Sequence, residues 1–407
     1  MQTTHRRLLV GAGAAALLLL AASPGVLAQS SGDGKTKIDL YGFAMLDMGY
    51  DANQNDPNWF DVMRPTKLPA FEDQFGQDGR FYSGVRQSRL GVKSWTPTKY
   101  GDLYTIFEFE LFGTGVDAGQ TTFRLRHAYG ELGHFGAGQT WSPFMDPDVF
   151  PNSIEYWGPN GMVFFRNVQI RYMPLKGDDA VTIALERPGA SGDGGVFSDL
   201  VQERGLQGRY PFPDLSANYR MTRGWGHLQF AAILREIKWD DPAANAVTDL
   251  SGSTTGWGIN VSTNVKIAKD TIRASVVYGE GIENYMNDAP VDVGIEANPG
   301  NAMTPVTGKA LPVLGVVAFY DRTWSEKLTS TIGYSRVDIS NSDLQAPDAF
   351  KTGQYALVNL LFYPVDNLMF GPELQWGQRE NNSDGWSVND FRVQFSVRFK
   401  FGHTFGG

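Results

Sequence analysis

Strand-length stretches in which polar and apolar residues alternate recur about sixteen times along this chain, joined by connections that are by turns short and long. The last stretch displays the period most plainly. Phe391, Val393, Phe395, Val397, Phe399 and Phe401 fall on one face, and Arg392, Gln394, Ser396, Arg398 and Lys400 on the other. A period of two is a strand. In a soluble half-buried sheet the apolar face packs on a core. In a lipid-embedded barrel it meets hydrocarbon, the polar face meets a lumen, and closure leaves no unpaired backbone edge. The pattern predicts an all-β fold, a transmembrane antiparallel β-barrel.

Strand candidates lie near 37–50, 82–96, 103–113, 121–133, 136–142, 162–173, 179–187, 213–222, 227–239, 256–267, 271–280, 311–320, 328–339, 354–363, 368–379 and 389–403. The connections at 96–101, 132–135, 174–178, 222–226, 268–270, 321–327 and 364–367 are short. Those at 51–81, 142–161, 188–212, 240–255, 281–310 and 340–353 are mostly long and rich in Asp, Asn, Gly, Pro and Ser, which mark exposed irregular segments. Outer-membrane barrels have short periplasmic turns and long external loops, so an even strand count puts both ends in the periplasm. A soluble sandwich supplies no reason for this alternation.

The first residues read as an export signal: Arg6 and Arg7, an apolar core from Leu8 to Ala22, and the small-residue cleavage site Val26-Leu27-Ala28. The expected organisation is a cleaved signal at 1–28, a short polar segment at 29–36 and one barrel domain at 37–407. Losing the two arginines takes the formal charge from −9 to −9 − 2 = −11, which argues against a nucleic-acid partner. Cysteine is absent although an exported chain meets an oxidising compartment, so disulfides and thiol chemistry are excluded. Beyond residue 28 no apolar run reaches the ~20 residues that a membrane helix needs. Rings near strand ends, such as Tyr50, Trp95, Tyr172, Trp225, Tyr278, Trp324, Tyr363 and Trp376, fit interfacial girdles.

A Lys or Arg facing mid-bilayer lipid costs ~2–4 kcal/mol, so charge identifies the inward face. Asp39 and Asp47 point inward by this rule, and Ile38, Leu40, Ala44, Leu46 and Met48 outward. A sixteen-stranded barrel is too wide for side chains to fill, so water occupies its middle unless a loop folds in. The candidate inward loop is 142–161, stiffened by prolines and carrying Asp146, Asp148, Glu155, Tyr156 and Trp157. Facing it is a basic wall of Arg86, Arg89 and Lys93 on the second strand, Arg124 and Arg126 on the fourth, and Arg166 and Arg171 on the sixth. Glu108 and Glu110 lie between them on the third. One reading is a structural charge ladder in a wet lumen. The other is a positive constriction opposed by Asp146, Asp148 and Glu155, whose planar guanidiniums suit carboxylates and favour small organic anions.

No catalytic site is expected. His127, His134, His227 and His403 are the histidines beyond the signal, and none has Ser/His/Asp or metal-ligand spacing. No cofactor and no metal site are expected either, since the Asp/Asn-rich loops lack the spacing of a calcium loop.

Three runs resemble a known family: Arg86-Gln87-Ser88-Arg89-Leu90-Gly91-Val92, Arg124-Leu125-Arg126-His127-Ala128-Tyr129-Gly130, and Gly138-Gln139-Thr140-Trp141-Ser142-Pro143-Phe144. With the opening Leu40-Tyr41-Gly42-Phe43 they make the chain look like a DcaP-like porin over nearly all of its mature length. The resemblance implies a homotrimeric sixteen-stranded diffusion channel of the Gram-negative outer membrane, associated with dicarboxylates and related aromatic or small carboxylic acids. Its basic wall then carries the anion preference. Two features depart from the family: 29–36 is too short for the helical stretch that often precedes the barrel, and Phe405 is followed by Gly406-Gly407 where many barrels end on an aromatic residue. A general or sugar-selective porin is the second reading, with Trp141, Tyr156 and Trp157 as a possible sugar path. A non-conducting adhesin or barrel enzyme is the third.

Overall fold

A computed structural model describes residues 34–406. The export segment expected at 1–28 lies outside the described residues. The barrel strands are β1 (Lys37–Asp51), β2 (Arg80–Gly84, resuming as Arg89–Thr98), β3 (Gly101–Phe112), β4 (Thr121–Leu132), β5 (Phe135–Trp141), β6 (Arg166–Leu175), β7 (Asp179–Glu186) and β8 (Asp214–Arg223). They continue as β9 (Gly226–Asp240), β10 (Gly252–Ile267), β11 (Asp270–Glu280), β12 (Pro312–Ser325), β13 (Leu328–Ile339), β14 (Phe350–Asn359, resuming as Leu361–Val365), β15 (Leu368–Asn381) and β16 (Ser387–Phe405). Each pairs antiparallel with its neighbour in sequence. The sheet closes where β16 pairs with β1, from Ile38 opposite Phe405 to Asp51 opposite Arg392. Sixteen strands in a closed barrel match the sequence expectation, and both ends of the barrel chain lie at the short-turn rim.

The period of two sorts the faces as charge predicts. Phe107, Ile170, Leu234, Ile332, Phe391 and Val393 are each more than half exposed on the outer wall, while Asp47, Glu108, Arg126, Gln169 and Gln394 are buried inside. Tyr50, Trp225, Tyr278 and Trp324 are exposed rings near strand ends. Tyr363 is different: its hydroxyl meets Asn152 at 3.3 Å, so it faces the lumen and is no girdle residue.

The lumen is not uniformly wet and polar. Inward Ile233, Val277, Val317, Phe319, Val337 and Leu357, on β9 and β11–β14, belong to one apolar cluster with Met63 and Leu68 of loop 52–79, Phe144, Met145 and Met162 of loop 142–165, and Ile282 and Met286 of loop 281–311. Three long loops thus fill that side of the barrel, and apolar inward residues are favourable there because they bury surface.

Loop 142–165 runs almost once round the inner wall. Asp146 accepts from Ser262 Oγ at 2.7 Å and meets His227 Nε2 at 2.6 Å. The Asp148 carbonyl accepts from Asn264 and Arg273. The Asn152 carbonyl accepts from Thr331 and Asn359, and the backbone N–H groups of Ile154 and Glu155 donate to Glu373 of β15 at 3.0 and 3.2 Å. The Ile154 carbonyl accepts from Gln394 of β16 and from Gln87 in the break of β2. Tyr156 then reaches Glu110 on β3. On its return the loop passes the wall so closely at Gly161 that a Cβ there would lie 2.1 Å from the Arg336 carbonyl oxygen.

Two substitutions test these attachments. Arg392 is fully buried, donating through Nε to Asp51 at 2.5 Å and through Nη2 to the Phe60 carbonyl at 3.0 Å. Arg392→Met strands the Asp51 carboxylate and is expected to cost about 3–5 kcal/mol. A lowered temperature for the heat-induced mobility shift on gels would register that loss. Glu373→Ala removes the acceptor that seats Ile154 and Glu155, at an expected cost of about 1–3 kcal/mol. Single-channel recordings should then show added open-state noise, and traces as quiet as the wild type would sink the anchoring role.

Candidate functional site

Alternation along β2, β3, β4 and β6 turns a set of opposite charges toward one another inside the barrel. Arg126 of β4 lies between the two glutamates of β3, with Nε 2.6 Å from Glu108 and Nη1 2.5 Å from Glu110. Arg89 of β2 approaches the same pair at 3.7 and 3.4 Å. Arg124 and Arg166 reach Glu110 at 3.6 and 3.7 Å. From the inward loop, Tyr156 donates its hydroxyl to Glu110 and stacks on Phe112 with ring centroids 3.9 Å apart. Tyr41 of β1 donates to Glu108 at 2.8 Å. Four guanidiniums against two carboxylates leave two positive charges in excess.

The arginines divide by exposure. Arg126 and Arg166 have side chains only 6% and 5% exposed, whereas Arg89 and Arg124 are 24% and 28% exposed and line open lumen. Arg166 is held over the Trp141 ring at 5.0 Å, and its Nη1, like Arg89 Nε, is buried without a hydrogen-bond partner among the described residues. Unspent guanidinium donors are what an acceptor-rich anion can use. Beside the cluster on the long-loop side is a cavity of about 230 Å³ lined by Arg64, Arg124, Tyr156, Trp157, Phe164 and Phe165 among others. Arg64 is sandwiched there between Trp59 and Trp157, at 4.2 and 3.9 Å, and donates to Asp288 at 2.8 Å.

The other residues expected in the pore sit elsewhere. Arg86 falls in the break of β2, where the period of two is interrupted. It is buried against Asp61, the carbonyls of Gly113 and Gln120, and the Phe112 ring at 3.8 Å, so it fastens loops and does not face the lumen. Arg171 donates to the Trp141 carbonyl at 2.6 Å, and Lys93 lies 4.8 Å from the Tyr41 ring. Both are further toward the short-turn rim than the cluster, as their positions along β6 and β2 require.

Asp146, Asp148 and Glu155 do not oppose the arginines across a gap. Asp146 is bound to His227, Ser262 and Arg220, and Asp148 to Arg220, all on the β8–β10 wall. Glu155 is buried and accepts the backbone N–H groups of Met63, Trp157 and Gly158. Burial pushes its carboxyl up to about 7, so near neutrality it is only partly charged. The loop's acids therefore hold the loop in place and leave the positive excess uncancelled. Arg220 and Arg273, which tie the loop to β8 and β11, share the inward parity but lay outside the expected set.

Among the described residues no group of His, Cys, Asp and Glu has the arrangement of a metal site. Arg, Glu and Tyr on rigid strands around a lumen can bind and orient a charged solute reversibly, and the arrangement has no nucleophile–base pair.

The family model for the DcaP outer membrane protein matches residues 28–401 of this chain. None of the curated proteins matches. Among solved structures, the outer membrane channel DcaP of Acinetobacter baumannii is similar at 22% identity, with 92% of this chain and 100% of that one covered and a TM-score of 0.72. An anion-selective porin from Comamonas acidovorans is similar at 11% identity, covering 90% and 100%, with a TM-score of 0.58. The trimer form of OmpT, an outer membrane protein of Vibrio cholerae, is similar at 14% identity, covering 90% and 99%, with a TM-score of 0.54. Residues 28–401 take in the barrel up to the last four residues of β16, and the chain belongs to the DcaP outer membrane protein family.

Proposed function

We propose that this chain is a porin through which small organic anions, dicarboxylates among them, diffuse down their gradients. The observation that carries this reading is the charge imbalance of the constriction: four guanidiniums share Glu108 and Glu110, and two of them, Arg89 and Arg124, are still 24% and 28% exposed inside the barrel. Low-dielectric walls focus such a field. Guanidiniums that already share carboxylates in the resting protein exchange them for a passing carboxylate without a large change in hydrogen bonding, so the solute is held weakly enough to leave. The Comamonas acidovorans structure, described as an anion-selective porin, has the same type of barrel.

The mature chain starts at Gln29 in this proposal, after an export signal at 1–28, with a lead-in at 29–36 and the porin domain at 37–407. Three copies form the working unit, as in the trimer form of OmpT. A general or sugar-selective porin is the second reading, favoured by the rings of Tyr156, Trp157, Phe164 and Phe165 that line the cavity beside Arg124.

The test is the reversal potential of the reconstituted protein under a KCl gradient. The wild type should favour chloride. Arg124→Ala should lower the chloride-to-potassium permeability ratio roughly threefold while the barrel stays folded, because Arg124 is 28% exposed and holds no carboxylate alone. Arg126 is unsuitable for this purpose, since its removal strands both glutamates. A wild-type channel that prefers potassium would overturn the anion reading.

A further inference from the structure

On the short-turn side of the constriction, β16 turns two cations inward that make no ion pair among the described residues. The inward residues of β16 run Asp390, Arg392, Gln394 and Ser396, all buried beneath loops 52–79 and 142–165 or against Asp47, and continue as Arg398 and Lys400. Those two lie below the loop belt. Lys400 is exposed, Arg398 is half-buried, and neither has an ion pair among the described residues. Arg398 Nε is buried without a hydrogen-bond partner. A guanidinium left in this state inside a protein is costly unless water or an anion serves it.

The neighbouring strand makes this a shaped place. Phe43 of β1 stands opposite Lys400 on one side and opposite Arg89 on the other. Its ring is 5.8 Å from the Arg398 guanidinium and 5.3 Å from that of Arg89. Arg89 belongs also to the constriction, where it approaches Glu108 and Glu110. One ring therefore adjoins the last arginine of the constriction and the first unpaired cation beyond it. The acids in reach are few: Asp366 in the turn before β15 bears on Lys400, and the Tyr363 hydroxyl on Arg398.

We infer that Arg398 and Lys400, with Phe43 between them and Arg89, form a second anion station on the periplasmic side of the constriction, one that receives carboxylate solutes released by Arg89. This rests on the anion-porin reading and adds to it a location and two specificity-determining residues. A carboxylate released by Arg89 meets Arg398 across a single ring, since the two guanidiniums lie 5.3 and 5.8 Å from Phe43. Conduction through a selective pore requires several such weak sites in series, since a single strong one would trap the solute. Benzoate probes the station, because its ring can lie on Phe43 while its charge meets Arg398 and Lys400.

The experiment compares four full-length mature proteins in planar bilayers: wild type, Arg124→Ala, Arg398→Gln with Lys400→Gln, and the charge-keeping Arg398→Lys with Lys400→Arg. Chloride-to-potassium permeability and the benzoate concentration that halves the chloride current are read for each. The glutamine pair should lower the permeability ratio about twofold and raise the half-blocking benzoate concentration by a similar factor, and the charge-keeping pair should stay near wild type on permeability. Both pairs should fold, because neither residue has an ion pair among the described residues whose loss would strand a buried acid; the heat-induced mobility shift verifies it. Unchanged values in the glutamine pair beside a lowered ratio in Arg124→Ala would overturn the second station and leave the constriction reading intact. A wild type that favours potassium would overturn both.

Discussion

In hydrocarbon no water is available to an unpaired backbone group, and that single constraint governs this structure. Every strand must have a partner on both sides, so the sheet can end only by returning to its start. The seam between β1 and β16 is paired along nearly the whole of β1, from Ile38 opposite Phe405 to Asp51 opposite Arg392. The same seam carries the buried Arg392–Asp51 pair and holds the base of loop 52–79 through the Phe60 carbonyl. Closure thus fixes the barrel's circumference and, with it, a lumen too wide for side chains to fill. The chain answers with loops. Loop 142–165 uses the inward polar residues of the wall as a continuous row of anchors, and loops 52–79 and 281–311 bury the apolar ones.

The glutamates of the constriction follow from the same geometry. Four arginines brought to one place repel one another and lose hydration, which is expensive in a partly dry lumen. Glu108 and Glu110 make their assembly tolerable: Arg126 binds both, and the rest gather at the edge of that clamp. Acids in the proposed anion pathway look contradictory until their hydrogen bonds are counted. With Arg126, Arg89, Tyr41 and Tyr156 already donating to them, these carboxylates have little left to offer a cation.

Periodicity made the barrel legible, because a period of two and a preference for charge inside are imposed strand by strand and need no knowledge of tertiary contacts. The gathering of Arg89, Arg124, Arg126 and Arg166 around β3 was legible for the same reason: neighbouring antiparallel strands in known order put inward residues side by side. Arg86 was not, since it sits in the four-residue break of β2 and parity does not pass through a break. Tyr363 misled in the opposite way, being a strand-end ring that a loop residue, Asn152, recruits inward. The direction in which the acids of loop 142–165 turn is not legible in the sequence, because a loop's path has no periodicity. Only the wall residues they meet, among them His227, Ser262 and Arg220, reveal which way they turn. Arg398 and Lys400 had the right parity all along, but nothing in a sequence says that the belt stops short of them.

Net charge and local charge point in opposite directions here, and distance decides between them. The chain carries a formal −9, with acids such as Asp56, Asp73 and Asp78 in loop 52–79. Charges on exposed loops act on a solute through water and salt, where fields decay over ~8 Å at physiological ionic strength. Arg89 and Arg124 act at contact distance, between walls of low dielectric that confine their field to the path. On the proposed route an anion approaching the external face meets weak, screened repulsion. Past the loops it meets an unscreened excess of positive charge, continued by Arg398 and Lys400 toward the periplasmic rim. The barrier and the sites are separated along the axis, so an acidic protein can present a basic route, and the loop belt pinned by Glu373, Asp146 and Asn152 keeps that route in one shape.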